Sequence, residues 1–272
     1  SLIVSLGRLN QILGIDHHNS SLTAEAGCIL SDVQRVASSA GKLFPLSLAA
    51  EGSCTIGGNL ATNAGGTAVL RYGNARDLCL GLEVVTPGGD LWNGLHGLRK
   101  NNAGYALRDL FIGSEGTLGI ITAAVLRLYP RPRGQAVGFL AVDSVDKACE
   151  LLDLARDLLD SRLTAFELMS EACLELVLRH HPAARRPLEN HSAWYLLIEV
   201  SDTDSHENAD AALHHLLERA FERNLIRDGA AAGSIAQAET LWSLRENISE
   251  SQARDGPAIK HDISLPISRL AA

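Results

Sequence analysis

The chain has 272 residues, 46% of them hydrophobic and 21% charged, which is enough apolar material for one large or two ordinary globular domains. Its formal charge of −8, from 24 Lys and Arg against 32 Asp and Glu, excludes a general nucleic-acid or anionic-membrane binder, because both need clustered cations to neutralise phosphates. Five cysteines (Cys28, Cys54, Cys79, Cys149 and Cys173) at wide, irregular spacing, with no CxxC pair, read as reduced thiols of a cytosolic protein and not as a zinc or dithiol site.

No run approaches the roughly 20 apolar residues of a membrane span, and the opening SLIVSL lacks the basic flank and cleavage site of a signal peptide. The chain has no initiator Met and opens on the strand-like Leu2-Ile3-Val4, so it reads as an internal piece of a longer protein. SLTAEAGCIL alternates as a strand does. SDVQRVASSAG then predicts a helix with Ser31 as N-cap, Val33, Val36, Ala37 and Ala40 on one face, and Gly41 as the stop. LGLEVVT-PGGD-LWNG reads as two strands joined by a turn, and TLGIITAAVLRLYP as a long buried strand. PRPRG, Pro130 to Gly134, marks a domain boundary that divides the chain into 1–132 and 133–272. Beyond it AVGFLAV is a strand, followed by a helix from Ser144 with Val145, Ala148, Cys149, Leu152, Ala155 and Leu159 on one face. TAFELM precedes a helix capped by Ser170. AWYLLIEV leads to a helix over about Glu207 to Asn224, AETLWSLRENISE forms a further helix, and KHDISLPIS is extended. The whole reads as α+β: a mixed first part, then a two-layer domain with helices on one face of a mainly antiparallel sheet.

The stretch Gly52 to Gly66, GSCTIGGNLATNAGG, packs five glycines and two asparagines into fifteen residues. Two readings stand. The glycines either make tight turns and close packing contacts, or let a nucleotide's pyrophosphate lie on bare backbone at Gly57-Gly58 and Gly65-Gly66, with Asn59 and Asn63 as further donors. A second glycine-punctuated segment, FIGSEGTLGIIT from Phe111 to Thr122, has the character of a partner for the first. Neither GxxxxGK[ST] nor a strand–GxGxxG–helix unit occurs, which excludes the P-loop and Rossmann fingerprints.

FPLSLAAEGSCTIGGNLATNAGG, LRYGNARDLCLGLEVVTPGG, LRKNNAGYALRDLFIGSEGTLGIIT and LWSLRENISE…KHDISLPIS together resemble the FAD-linked D-2-hydroxyacid dehydrogenases of the vanillyl-alcohol oxidase type, in order and spacing, almost from end to end. The resemblance implies the second part of a PCMH-type FAD-binding domain over 1–132 and a substrate or cap domain of the FAD-linked oxidase C-terminal type over 133–272. It implies non-covalent FAD held by Gly52, Ser53, Cys54, Gly57, Gly58, Thr62 and Asn63, and by Glu115, Gly116, Gly119 and Ile120. In this reading Cys54 is a small neighbour of the cofactor and not a reactive thiol. The family's first phosphate loop would precede Ser1. Its metal-binding histidines, a site for a divalent ion such as zinc, and its proton-abstracting His-Glu pair would follow Ala272, so no metal site is expected within these residues.

A 2-hydroxy acid needs a cation for its carboxylate, and Arg245 and Ser249, four apart, share one face of a helix. The resemblance maps the family's substrate-binding Arg, Ser/Thr and Lys onto Arg245, Ser249 and Lys260; surface pairs Arg245–Glu246 and Lys260–Asp262 are the structural alternative. The implied reaction is oxidation of a D-2-hydroxy acid of the D-2-hydroxyglutarate, D-lactate or glycolate class, with hydride transfer to the flavin. An electron acceptor (flavoprotein, quinone or cytochrome) and a homodimer are the partners it allows, in the cytoplasm or peripheral to a membrane. A non-catalytic flavoprotein-like subunit is the alternative, which the retained glycines and cations disfavour; a UDP-sugar reductase is disfavoured by WSLRE. The doublets His17-His18, His180-His181 and His214-His215 diverge on any regular backbone and read as surface or helix-end residues.

Overall fold

The computed structural model describes residues 3–271, and the architecture is that of those residues. They form two units, divided between Arg131 and Pro132. Leu2, first of the three residues read as an opening strand, lies outside the described residues, and Ile3 and Val4 are exposed and not in a strand.

In the first unit, β1 (Ile12–Asp16), β2 (Ser21–Glu25), β4 (Cys79–Val85), β5 (Leu91–Gly94) and β6 (Ile120–Arg127) make an antiparallel sheet in the order β1-β2-β6-β4-β5. The two-residue β3 (Lys42–Leu43) pairs with β7 (Tyr129–Pro130). Helix α1 (Leu30–Ser39) buries Leu30, Val33 and Ala37 against Leu22, Ala24, Leu82, Val84, Ala124 and Leu126 of the sheet, and α2 (Ile56–Ala61) adds Ile56 and Leu60 to the same core. Two single turns, α3 (Val69–Tyr72) and α4 (Arg108–Phe111), complete the unit. Ser31 is not the cap of α1. The cap position falls two residues earlier, on Ile29, because backbone carbonyls do the capping: Leu30 N–H donates to Cys54 and Ser31 N–H to Glu51.

The second unit is built on β8 (Gly134–Val142), β9 (Leu163–Ser170), β10 (Trp194–Asp202) and β11 (Asp228–Ala231), antiparallel in the order β11-β8-β10-β9. The α+β class and the antiparallel pairing match the sequence reading. Helices α5 (Val145–Leu159) and α7 (His206–Glu222) cover one face, packing on Leu140, Val142, Leu196, Ile198 and Val200. The expected two layers, with helices on one face only, do not hold, since a further helical layer covers the other face: α6 (Glu171–His180) and α8 (Ile235–Glu246), with α9 (Ile248–Asp255) beside them, enclose Val137, Phe139, Tyr195 and Leu197. The unbroken apolar runs of β8 and β10 require this, since alternate residues point to opposite faces and both faces must be buried. Strand β11 escapes sequence reading because DGAA carries no strand pattern. Ser144, Ser170, Ser205 and Ser234 cap α5, α6, α7 and α8, each accepting a hydrogen bond from the residue three positions on.

A polar cluster fixes the irregular stretch 181–193 to this sheet. Arg186 forks onto Glu171 with contacts of 2.9 and 3.1 Å, also bonds Glu175 and the Tyr195 hydroxyl, and His191 Nδ1 lies 2.7 Å from the same Glu171 carboxylate. Burial alone would raise the Glu171 pKa, but hydrogen bonds from Arg186, Tyr195 and His191 outweigh it and hold the carboxyl down at about 2. A carboxyl depressed in the fold contributes stability that is fully present above the unfolded value near 4.5 and is lost as pH falls through about 2. Glu171→Gln is expected to cost about 1 to 3 kcal/mol at neutral pH. Thermal melts followed by circular dichroism should show the gap between wild type and variant closing as pH falls from 4.5 towards 2; parallel curves across that range would refute the assignment.

Candidate functional site

The first glycine segment is fastened to the turn after β2 before it can do anything else. Ile56 N–H donates to Cys28 at 2.9 Å and Gly57 N–H to Ala26 at 2.7 Å. A Cβ at Gly57 would sit 2.7 Å from that of Ala26, so this glycine is needed for close approach of α2 to the sheet. The first half of the Gly57-Gly58 doublet therefore has the packing role that the sequence left open. Gly58 is exposed, and its N–H donates to Thr55 Oγ1, the cap of α2. Gly66 is likewise a packing residue, since a Cβ there would meet the Ser47 carbonyl at 2.5 Å.

Both asparagines are tied into the fold by their side chains. Asn59 is buried, with Nδ2 donating to Cys54 Sγ at 3.5 Å, and Asn63 is left-handed (φ +48°) with Oδ1 accepting from Arg76 N–H at 3.0 Å. These contacts build the segment, leaving Gly52, Ser53, Gly58 and Thr62 as its exposed face, with Cys54 half-buried behind them.

The second segment joins the first directly. Gly113, Glu115 and Gly116 all have positive φ (+81°, +52° and +74°), which curls the chain so that Gly113 N–H donates to Leu60 at 3.0 Å and Glu115 N–H to Ala61 at 2.9 Å. Arg76 clamps the join from behind, donating to the carbonyls of Asp109 and Ile112 at 2.7 and 2.6 Å. Gly119 is buried, and a Cβ there would lie 2.6 Å from Val84, so it too serves packing. The exposed face here is Glu115 to Leu118 and Ile120, with Leu118 48% and Ile120 36% exposed.

The expected cofactor residues thus divide into a supporting set (Gly57, Asn63, Gly119) and an exposed edge (Gly52, Ser53, Gly58, Thr62, Glu115, Gly116, Ile120). That edge fits a dinucleotide. A Cβ at Gly52 or Gly116 would meet nothing within 4 Å, and among the described residues neither amide is hydrogen-bonded, so bare backbone donors face outward. The Glu115 carboxylate suits hydroxyl donors, and Leu118 and Ile120 offer apolar surface. Sequence reasoning missed Arg76, whose signal was a lone Arg in the YGNARD turn.

In the second unit, Arg245 and Ser249 fall on two helices and not one, because the helix breaks at Asn247 between α8 and α9. Arg245 Nε is 2.6 Å from Glu167 Oε2, a pair only 36% and 21% exposed. Lys260, in an exposed extended stretch, donates from Nζ to the Ser249 carbonyl at 3.5 Å. The acids that organise this face of the sheet were not foreseen: Glu167 of β9 holds Arg245, and Glu199 of β10 accepts from Trp242 Nε1 at 2.9 Å. Each is a lone acid inside an apolar strand, TAFELM and AWYLLIEV, which is the signal that could have found them.

Among the described residues the one group with metal-ligand proximity, Glu171, Glu175 and His191, already surrounds the Arg186 guanidinium. The histidine doublets are dispersed: His17 and His18 lie exposed in a turn, His180 contacts Asp255 at 3.0 Å, and His214 and His215 are exposed on α7. All five cysteines are free, and among the described residues no helix is long and apolar enough to cross a membrane.

Comparison with known proteins follows the same division. An FAD binding domain family matches residues 1–94, and the family described as FAD linked oxidases, C-terminal domain, matches 131–272. The chain is 40% identical over 269 residues to the mitochondrial D-2-hydroxyglutarate dehydrogenase of Rattus norvegicus, covering 99% of this chain and 50% of that protein. It is 42% identical over 271 residues to the D-2-hydroxyglutarate dehydrogenase of Xanthomonas citri pv. viticola, covering 100% of this chain and 56% of that one. The chain thus spans about half the length of these relatives. Among solved structures, an alkyldihydroxyacetonephosphate synthase matches with TM-score 0.67 at 20% identity, over 91% of this chain and 45% of the other. p-Cresol methylhydroxylase matches with TM-score 0.63 at 18% identity, over 88% and 53%. Both show likeness of fold.

The cytoplasmic expectation does not stand, since relatives from rat, cattle, zebrafish and Arabidopsis are all mitochondrial by name. Free thiols report a reducing environment and do not distinguish one such compartment from another. With its oxidase domain match extending over more than half of its residues, the chain belongs to the FAD-linked oxidases.

Proposed function

We propose that this chain is part of an FAD-dependent dehydrogenase that oxidises a D-2-hydroxy acid, of the D-2-hydroxyglutarate, D-lactate or glycolate class, to the 2-oxo acid. The observation that carries this reading is the identity of about 40%, over nearly the whole chain, to proteins named D-2-hydroxyglutarate dehydrogenase. The first unit would hold the cofactor along the edge formed by Gly52, Ser53, Gly58, Thr62, Glu115, Gly116 and Ile120, with Gly57, Asn63 and Gly119 shaping it and Cys54 behind. Bound FAD would supply the acceptor for the hydrogen leaving C2 as hydride.

The second unit's residues bind and orient. Glu167 engages the Arg245 Nε, which leaves the two amino groups of the guanidinium for a bidentate pair with the substrate carboxylate. Lys260 adds a second cation, and the exposed Ser249 a hydroxyl. Two cations and a hydroxyl fix an acid; they do not take its hydroxyl proton, and the base is not among them. Reoxidation falls to a separate acceptor of the flavoprotein, quinone or cytochrome class.

Two variants of the longer enzyme that contains this chain test the reading. Arg245→Ala should lower kcat/KM by about 2 to 5 kcal/mol through lost anchoring of the carboxylate, with flavin content unchanged; an unimpaired, flavin-loaded variant would remove Arg245 from the site. Gly52→Ala should weaken FAD binding about tenfold or more with little loss of fold, because Gly52 has no left-handed backbone angle and a methyl there enters only open space. Gly57→Ala should do the reverse, lowering thermal stability first. Flavin titration alongside melting would show the contrast, and equal effects on both measurements would contradict the division of the glycines.

A further inference from the structure

A cavity of about 410 Å³ opens at one end of the first unit's sheet, and its chemistry is unlike the rest of this acidic chain. Arg99, Lys100, Arg108 and Arg127 line it, against Asp77 as the one acid. Arg108 is partly neutralised by Asp109 at 3.3 Å and fixed by the carbonyls of Cys79 and Leu80 at 2.6 and 2.9 Å. Arg99 donates to the carbonyls of Asn19 and Ser20, the latter at 3.2 Å, and among the described residues makes no ion pair. Among the described residues Lys100 makes no ion pair.

Arg127 carries the decisive feature. Its guanidinium lies 4.8 Å over the Tyr129 ring, which is itself packed edge-on against Tyr72 at 4.7 Å, so the side chain is aimed and not free to swing. Its Nε is nevertheless buried without a hydrogen-bond partner. That atom is closed off within the fold, so an anion in the cavity would be met by the amino groups of the guanidinium, whose plane the Tyr129 ring fixes.

We propose that this cavity binds a small polyanion, a compound carrying two or more carboxylate or phosphate groups. The cavity is built for binding and not for reaction. The Cys79 thiol in its wall is pushed up to about 12, chiefly by burial, and donates to the Gly81 carbonyl at 3.3 Å, so it offers no nucleophile. Its Arg127 wall lies away from the glycine edge, since Arg127 ends β6 and Ile120 begins it, seven residues or about 23 Å along the strand. The inference stands independently of the flavin reading.

Isothermal titration calorimetry of the 272-residue chain tests it, with inorganic pyrophosphate in one arm and citrate in the other. One-to-one saturable binding is expected in the millimolar range or tighter, weakening as salt is raised. The tighter of the two probes identifies the class, phosphate or carboxylate. Arg127→Gln and Lys100→Gln should each weaken it about tenfold, with circular dichroism checking the fold, while Gly52→Ala leaves it unchanged. Lys100 is exposed and unpaired, so its variant keeps the test decisive if Arg127→Gln does not fold. Absence of saturable binding by both probes, or binding that ignores Lys100→Gln and responds to Gly52→Ala, would overturn the proposal.

Discussion

Two backbone hydrogen bonds, from Gly113 N–H to Leu60 and from Glu115 N–H to Ala61, turn two separate glycine-rich segments into one continuous edge. They form only because Gly113, Glu115 and Gly116 take left-handed backbone angles, a conformation that costs about 1 to 2 kcal/mol at a residue with a side chain such as Glu115. Arg76 offsets that cost from behind, tying two carbonyls of the second segment while Asn63 of the first holds its own amide. Without this join, the exposed residues of 52–62 and 115–120 would be two unrelated loops. With it, they present bare amides and apolar side chains along a single surface, which is what a long cofactor with a charged middle and aromatic ends demands.

The second unit solves a different problem by similar means. Its sheet is covered on both faces, yet two half-buried acids, Glu167 and Glu199, sit within it, and acids so placed need partners. Helix α8 supplies them as Arg245 and Trp242. The consequence is that Arg245 is oriented from below by Glu167, so that its remaining donors are pre-aimed and not spread over a solvated helix face. On the same face, the Glu171–Arg186 fork secures the irregular 181–193 stretch that would otherwise fray.

Much of this was legible in the residues. Strands such as VVT and AWYLLIEV, the serine caps, and the family motifs all stated their roles locally, because period, capping and turn chemistry act over a few positions. What was not legible depends on partners distant in sequence. Gly57 and Gly119 look identical to Gly52 and Gly116 in a string of letters, and only the neighbours Ala26 and Val84 reveal that the first pair serves packing. Ser31 has the right identity for a cap, but Glu51 and Cys54 arrive first. Arg245 and Ser249 have helical spacing, but the break at Asn247 separates their elements. The DGAA strand is visible only through its pairing with β8.

The central claim, that the two glycine segments act as one cofactor edge, is tested most directly by amide hydrogen exchange on the whole protein with and without FAD. Bound FAD is predicted to slow exchange at residues 52–58 and 113–118 together, while 99–108 around the cationic cavity keeps its rates. Protection of one segment without the other, or protection centred on 99–108, would contradict the account.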